Sequence, residues 1–210
     1  MSPAKQMAFW ADKLRDITAM GLRFANNIHD RGNYQAVQDI AIGMAALATG
    51  QDIAALEPLR EPLFSRPTPI TVGDGAVIDA SGRILLIQRA DNGRWAMPGG
   101  ALEVGETAAQ GVVREVWEET GIRCRPTALV GVFDSRLCRT QTPHHLYQFV
   151  LLCAPEENHP PQPPTHAEEV LDAGWFAADA LPAALDPGHR TRIPEAFRVW
   201  RGDGRSFFDH

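Results

Sequence analysis

Apolar positions in the first fifty residues recur at steps of three and four. Trp10, Leu14, Ile17, Gly21, Phe24 and Ile28 draw one stripe, the pattern of a helix with a single apolar face. Ser2 followed by Pro3 supplies an N-cap and a proline at the first helical position. The polar run His29-Asp30-Arg31-Gly32-Asn33 interrupts the stripe. Val37, Ile40, Met44 and Leu47 start a second stripe that stops near Gly50. These positions predict a helical pair over residues 1–50. Residues 51–67 are rich in proline and show little periodicity, the composition of a linker.

From residue 68 the period changes. Ile70–Asp79 and Arg83–Arg89 are apolar runs of strand length on either side of Ala80-Ser81-Gly82, a hairpin signal. Ala128–Ser135 and His145–Ala154 also read as strands, the second apolar enough for the middle of a sheet. Val170–Ala177 reads as a short strand, Glu157–Thr165 as a proline-rich loop, and Ala178–Leu185 and Pro194–Trp200 as short helices. Glu106–Thr120 has helical spacing throughout, with Thr107 near its start. Ala109, Val112, Val113, Val116 and Trp117 share one arc that would face a sheet. Strands interleaved with one strong helix predict an α/β domain over residues 68–210.

Composition narrows the class without choosing a chemistry. Of 210 residues, 44% are hydrophobic and 22% charged, as in an ordinary globular chain. The formal net charge of −6 argues against a nucleic-acid binder, whose surface would be basic. It leaves nucleotides open, because a bound metal reverses the local charge. Cys124, Cys138 and Cys153 are widely spaced and contain no CxxC pair, which argues against a zinc site. The N-terminal stretch lacks the apolar run of a signal peptide, and no run of 18 apolar residues occurs. A cytoplasmic protein that does not enter the membrane is therefore expected.

The helix over 106–120 raises the chemical question. Glu115, Glu118 and Glu119 stand at i, i+3 and i+4, where like charges destabilise a helix by about 0.2–0.5 kcal/mol per pair. Gly111, one turn earlier on the same side, weakens the helix by up to about 1 kcal/mol relative to alanine and is expected to leave open space beside the carboxylates. A solvated acidic face would look the same from the helix alone. The loop before it, Pro98-Gly99-Gly100-Ala101-Leu102-Glu103-Val104-Gly105-Glu106, is flexible enough to turn a backbone carbonyl toward a shared ion. Loop and helix together suit a hard divalent cation, which takes oxygen ligands and completes its shell with water and phosphate.

The stretch from Gly100 to Ile122 also fits a known spacing: glycine, five residues, glutamate, seven residues, then Arg-Glu-aliphatic-x-Glu-Glu-x-Gly-aliphatic. The matching positions are Gly100, Glu106, Arg114, Glu115, Val116, Glu118, Glu119, Gly121 and Ile122. By this motif the chain resembles the Nudix hydrolases over about residues 68–185. Its helical pair is similar to the segment preceding the domain in a subgroup that acts on nucleoside diphosphates linked to another moiety. The resemblance implies an α/β/α sandwich with a mixed sheet, preceded by a small helical region. It implies hydrolysis of the diphosphate bond in a nucleoside diphosphate joined to a group X (ADP-ribose-like, CDP-alcohol or UDP-sugar), giving nucleoside monophosphate and phospho-X. It assigns Glu115 and Glu119 as direct metal ligands, Glu118 as a ligand or as the base orienting the attacking water, and the Gly99 carbonyl as a backbone ligand. Arg114 would hold the glutamates by ion pairing, and Glu106, with Gly100, would support the loop. One to three Mg²⁺ or Mn²⁺ ions are expected. Phosphoryl transfer needs positioning and charge neutralisation of that kind.

Members of that family often take a further base or ligand from a loop ahead of the last strand, where Glu168 and Glu169 stand. Arg89, Arg136 and Arg139 are candidate phosphate or ribose contacts, with surface arginines as the plainer reading. His144 and His145 could line the same pocket. Trp95, Phe133 and Tyr147 fit base stacking or, more simply, core packing. Two other functions stay open: a non-catalytic nucleotide-sensing module, and a pyrophosphatase that clears oxidised nucleoside triphosphates. The complete glutamate set argues against the first, and the additional helices against the second. The helical stripes hold more apolar surface than one short hairpin buries, so a homodimer is expected.

Overall fold

The computed structural model describes residues 2–65, 68–140, 145–156, 160–163 and 168–209, in two units that divide between Thr68 and Pro69. In the first, helices α1 (Pro3–Phe24) and α2 (Ile28–Thr49) form an α-hairpin. The Ser2 side chain accepts from the Lys5 N–H at 3.3 Å, and Gly50, at φ 67°, ends α2. The break falls at residues 25–27, earlier than expected, and His29–Asn33 is helical. Asn27 sets it: its side chain accepts from the Asp30 N–H at 2.8 Å and so starts α2.

Small residues together with Gln38 and Ile42, rather than the large apolar stripes, make the inner faces of the hairpin. Ala11, Thr18 and Ala19 of α1 and Gln38, Ala41, Ile42 and Ala46 of α2 are buried. Trp10, Ile17, Phe24, Ile28, Ile40 and Leu47 stand exposed. Residues 51–65, within the segment expected as a linker, belong instead to this unit. They form one helical turn, α3 (Ile53–Leu56), then a 3₁₀ turn over Glu57–Leu59 and a π turn over Arg60–Phe64. Leu56 and Phe64 join Ala41, Ile42 and Ala46 in a core, and the buried Gln38 donates to the Phe64 carbonyl at 3.0 Å. Among the described residues, no single helix is long and apolar enough to cross a membrane.

The second unit carries β1 (Ile70–Val77), β2 (Arg83–Arg89), β3 (Trp95–Ala96), β4 (Gly99–Ala101), α4 (Ala108–Thr120), β5 (Cys124–Asp134), β6 (Leu146–Pro155), β7 (Val170–Ala177), α5 (His189–Trp200) and β8 (Phe207–Phe208). A five-stranded mixed sheet runs β4-β1-β6-β5-β8, and a three-stranded sheet runs β3-β2-β7. β6 is central, as its largely apolar run predicts. It pairs in parallel with β1 and antiparallel with β5. Val112 and Val116 of α4 pack with Val77, Leu85, Leu151 and Cys153 on one face. Ile193, Ala196 and Phe197 of α5 pack with Ala76, Leu86, Phe133 and Val150 on the other. The result is the expected α/β/α sandwich with a mixed sheet.

Differences from expectation lie near the C-terminal end. Ala178–Leu185 forms turns rather than a helix. Buried Leu185 bridges to Trp95 there. α5 begins at His189, with Pro194 inside it. β8 was not foreseen, being two residues long and defined only by its pairing to β5. The proline-rich loop lies in part outside the described residues, at 157–159 and 164–165.

Candidate active site

The helix α4 is fixed at both ends by its own sequence. Thr107 accepts from the Gln110 N–H at 3.2 Å while Gln110 accepts from the Thr107 N–H at 2.8 Å, a reciprocal cap. Gly121, at φ 67°, terminates it. Val112 and Val116 face the sheet, with Val113 partly buried. Ala109 and Trp117, expected on that face, are exposed, and the Arg123 guanidinium lies 5.0 Å over the Trp117 ring. Thr120 takes the inward place and bonds the Val116 carbonyl.

Arg114 organises the opposite side. Its guanidinium donates to Glu106 at 2.9 and 3.2 Å, to Glu115 at 2.8 Å and to Glu118 at 3.1 Å. It also reaches the Ala101 carbonyl at 3.3 Å. Glu106 accepts in turn from the Glu103 N–H at 2.7 Å. The space beside Gly111 is not open, contrary to the sequence reading. A Cβ there would meet the Glu106 carboxylate and the Leu102 side chain, each at 2.5 Å. The glycine thus admits the loop and its carboxylate, which then pins Arg114.

Glu119 turns toward the loop, where it accepts from the Gly99 N–H at 2.8 Å. Burial pushes its pKa up to about 8, reinforced by the charges of Glu115, Asp74 and Glu169 and only partly opposed by the Gly99 bond. Burial raises Glu115 as well, against the pull of Arg114. Glu115 closes on the loop backbone: a Cβ at Gly100 would sit 2.7 Å from its carboxylate.

Glu115, Glu118, Glu119, Glu168, Glu169 and the backbone of Gly99–Ala101 line one cavity of about 630 Å³. A second, of about 540 Å³, shares Gly99, Gly100, Glu119, Glu168 and Glu169 and adds Arg89. Arg89 is paired with Asp91 at 2.7 Å. Among the described residues, no three Asp, Glu, His or Cys side chains converge into a finished ligand set. Arg114 still holds Glu115 and Glu118, and Gly99 holds Glu119. The donor set is nonetheless the right kind: hard carboxylate oxygens, crowded and partly buried, with too little positive charge among them.

Other candidates fall elsewhere. Arg136 and Arg139 line neither cavity. Arg136 is tied at 2.5 Å to Asp134, which also lies 3.1 Å from His145. Arg139 adopts φ 60°. Phe133 is fully buried, stacked on Phe207, and Trp95 packs edge-on against Phe176; both are core. Tyr147 is half-exposed beside His145. His144 lies outside the described residues.

Three further residues join the site without belonging to any sequence motif: Asp74, His189 and Arg192. Asp74 sits in β1 opposite Gly99 and forms an ion pair with Arg192 of α5, which is 1% exposed. Burial drives the His189 pKa far below its ordinary value, leaving a neutral ring whose Nδ1 accepts from the Met97 N–H at 3.2 Å. The one signal in the sequence was an acid inside an otherwise apolar strand.

Comparison with known proteins converges on the same features. Residues 69–196 match the model of the NUDIX domain. Residues 5–59 match one described as a UDP-X-like, N-terminal oligomerisation domain. "Putative ADP-ribose pyrophosphatase YjhB" of Bacillus subtilis (strain 168) is 31% identical over 86% of this chain and 85% of its own. The 8-oxo-dGDP phosphatase NUDT18 of Mus musculus is 28% identical over 71% of this chain, which spans 47% of that longer protein. Among solved structures, a UDP-X diphosphatase superposes with a TM-score of 0.58 at 24% identity, covering 97% of both chains. An ADP-ribose pyrophosphatase from Streptococcus suis 89-1591 gives 0.56 at 26% identity, over 68% of this chain and all of that one. With the domain model matched over residues 69–196, well over half of the chain, the chain belongs to the Nudix family of hydrolases.

Proposed function

We propose that the sandwich hydrolyses the diphosphate bond of a nucleoside diphosphate linked to a second group, releasing nucleoside monophosphate and the phosphorylated group. The observation that carries this reading is the single cavity that gathers Glu115, Glu118, Glu119, Glu168 and Glu169 around the Gly99–Ala101 backbone. Glu115, Glu119 and the Gly99 carbonyl would hold Mg²⁺ or Mn²⁺, with Glu118 as a further ligand or as the base. Such ions supply neutralisation of the phosphates and lower the pKa of water. Arg114 keeps Glu115 and Glu118 apart from each other's charge and in place. Glu168 and Glu169 line the same cavity, and either would serve as a further ligand or as the base that takes a proton from water. Arg89 lines the adjoining cavity, where exchanging Asp91 for a phosphate would hold the substrate.

The match to an oligomerisation domain and the exposed stripe of Trp10, Ile17, Phe24, Ile40 and Leu47 support a homodimer built through the helical unit. A panel of ADP-ribose, CDP-alcohols, UDP-sugars and 8-oxo-nucleotides, assayed with Mn²⁺ and resolved by product, tests the activity. Nucleoside monophosphate plus phospho-X is the expected outcome. Pyrophosphate released from a triphosphate would instead favour the nucleotide-clearing reading, and tight binding without turnover a sensing module.

A further inference from the structure

The Met97–Gly99 turn presents the backbone assigned above to the ion, and it is held from both faces of the sheet. From the α4 face, Glu119 accepts the Gly99 N–H. From the α5 face there are two attachments. His189 Nδ1 accepts the Met97 N–H at 3.2 Å. Arg192 pairs with Asp74 and donates from Nε to the Gly188 carbonyl at 3.1 Å. Asp74 is the register partner of Gly99, and contact between them is close. A Cβ at Gly99 would lie 2.9 Å from the Asp74 carboxylate and would collide with the Gly73 carbonyl. Between the two attachments, the Gly75 N–H donates to the Pro98 carbonyl at 2.8 Å.

Stability alone is a poor reason for such a pair. A buried ion pair contributes little over well-packed apolar side chains of the same volume, and Arg192 stands on a helix face that otherwise buries Ile193, Ala196 and Phe197. What the pair and the histidine supply is direction. A guanidinium and a ring nitrogen fix where their partners sit, and apolar packing would let the turn slide.

We infer that His189 and Arg192 are positioning residues, holding the Met97–Gly99 turn, through Met97 and Asp74, at the separation from Glu119 that a divalent cation requires. This rests on the proposed metal-dependent reading of the same cavity. Neither residue lines either cavity. Their effect reaches the chemistry only through the turn.

The test uses the full chain and Mn²⁺ alone, with free Mn²⁺ counted by electron paramagnetic resonance, followed by steady-state hydrolysis and thermal melts. His189→Leu removes the acceptor for Met97, whereas His189→Asn keeps an oxygen near the same place. Arg192→Met and Arg192→Lys make the parallel pair. The Leu and Met variants should bind Mn²⁺ about tenfold more weakly and lose a similar factor in kcat with KM little changed, the scale expected of residues supporting a metal site. The Asn and Lys variants should recover much of both. A merely structural role would lower the melting temperature of each pair without that recovery. Folded Leu and Met variants that bind Mn²⁺ like the wild type overturn the inference. Should Arg192→Met fail to fold, the histidine pair decides alone. A wild type that binds Mn²⁺ but cleaves none of the panel sinks the functional reading and leaves the Mn²⁺ comparison standing. A wild type that takes up no Mn²⁺ overturns both.

Discussion

Glu119 is a carboxylate placed where it is uncomfortable as an anion. Its folded pKa of about 8 lies above the ordinary carboxylate value of 4.5. A raised acid favours the folded state at low pH, and that contribution is lost as pH climbs through the interval between the two values. The metal-free protein should therefore melt progressively lower from pH 4.5 to pH 8 than Glu119→Gln does. Mg²⁺ or Mn²⁺ should restore the most stability at the alkaline end, because the cation competes with the proton. Fluorimetric melts of both proteins across that range, with and without metal, check the sign. In turnover, Glu106→Gln should cost about 10–100-fold, as for a residue that orients ligands, and Glu119→Gln should cost more. Equal losses in the two would remove the distinction between ligand and support. The signature glutamates were legible in the sequence because their spacing alone places them on one helical face. Asp74, His189 and Arg192 were not, because their meaning comes from register and packing between residues as many as 118 positions apart.

Helix α4 was legible almost to the residue, since Thr107 and Gly121 are local signals that nothing downstream overrules. Where tertiary pairing decided, local pattern misled. Ala178–Leu185 has helical composition, yet its end pairs with Trp95 and remains a turn. The proline-rich segment after α2 packs Leu56 and Phe64 into the helical unit despite its linker-like composition. Gly111 shows the same lesson inside α4. Gly111→Ala should raise intrinsic helix stability by up to about 1 kcal/mol. The new methyl must displace the tips of Glu106 and Leu102, loosening Arg114. The expected variant is at least as stable to denaturant as the wild type but needs more Mn²⁺ for half-maximal rate. A variant with unchanged metal demand would show that Glu106 finds another route to Arg114.

The helical unit leaves Ile17 and Ile40 more than half exposed, at 56% and 57%, and apolar surface of that kind calls for a partner. Light scattering at micromolar concentration should give about twice 23.0 kDa. The double change Ile17→Glu and Ile40→Glu should halve that mass while leaving the far-ultraviolet dichroism intact. A wild-type particle of 23.0 kDa would contradict the dimer. In the sandwich, the parallel pairing of β1 with β6 joins Ile70 to Leu146, and everything acidic on α4 lies between those two positions in the chain. Closing so long a loop is slow. A ribosome therefore extrudes the glutamates after β1 and β2 but before β6, so Val112 and Val116 can meet Val77 and Leu85 while still waiting for Leu151 and Cys153. During synthesis the nascent helix has only part of its platform, and the proposed affinity for a cation should mature only after the later half of the domain has left the exit tunnel.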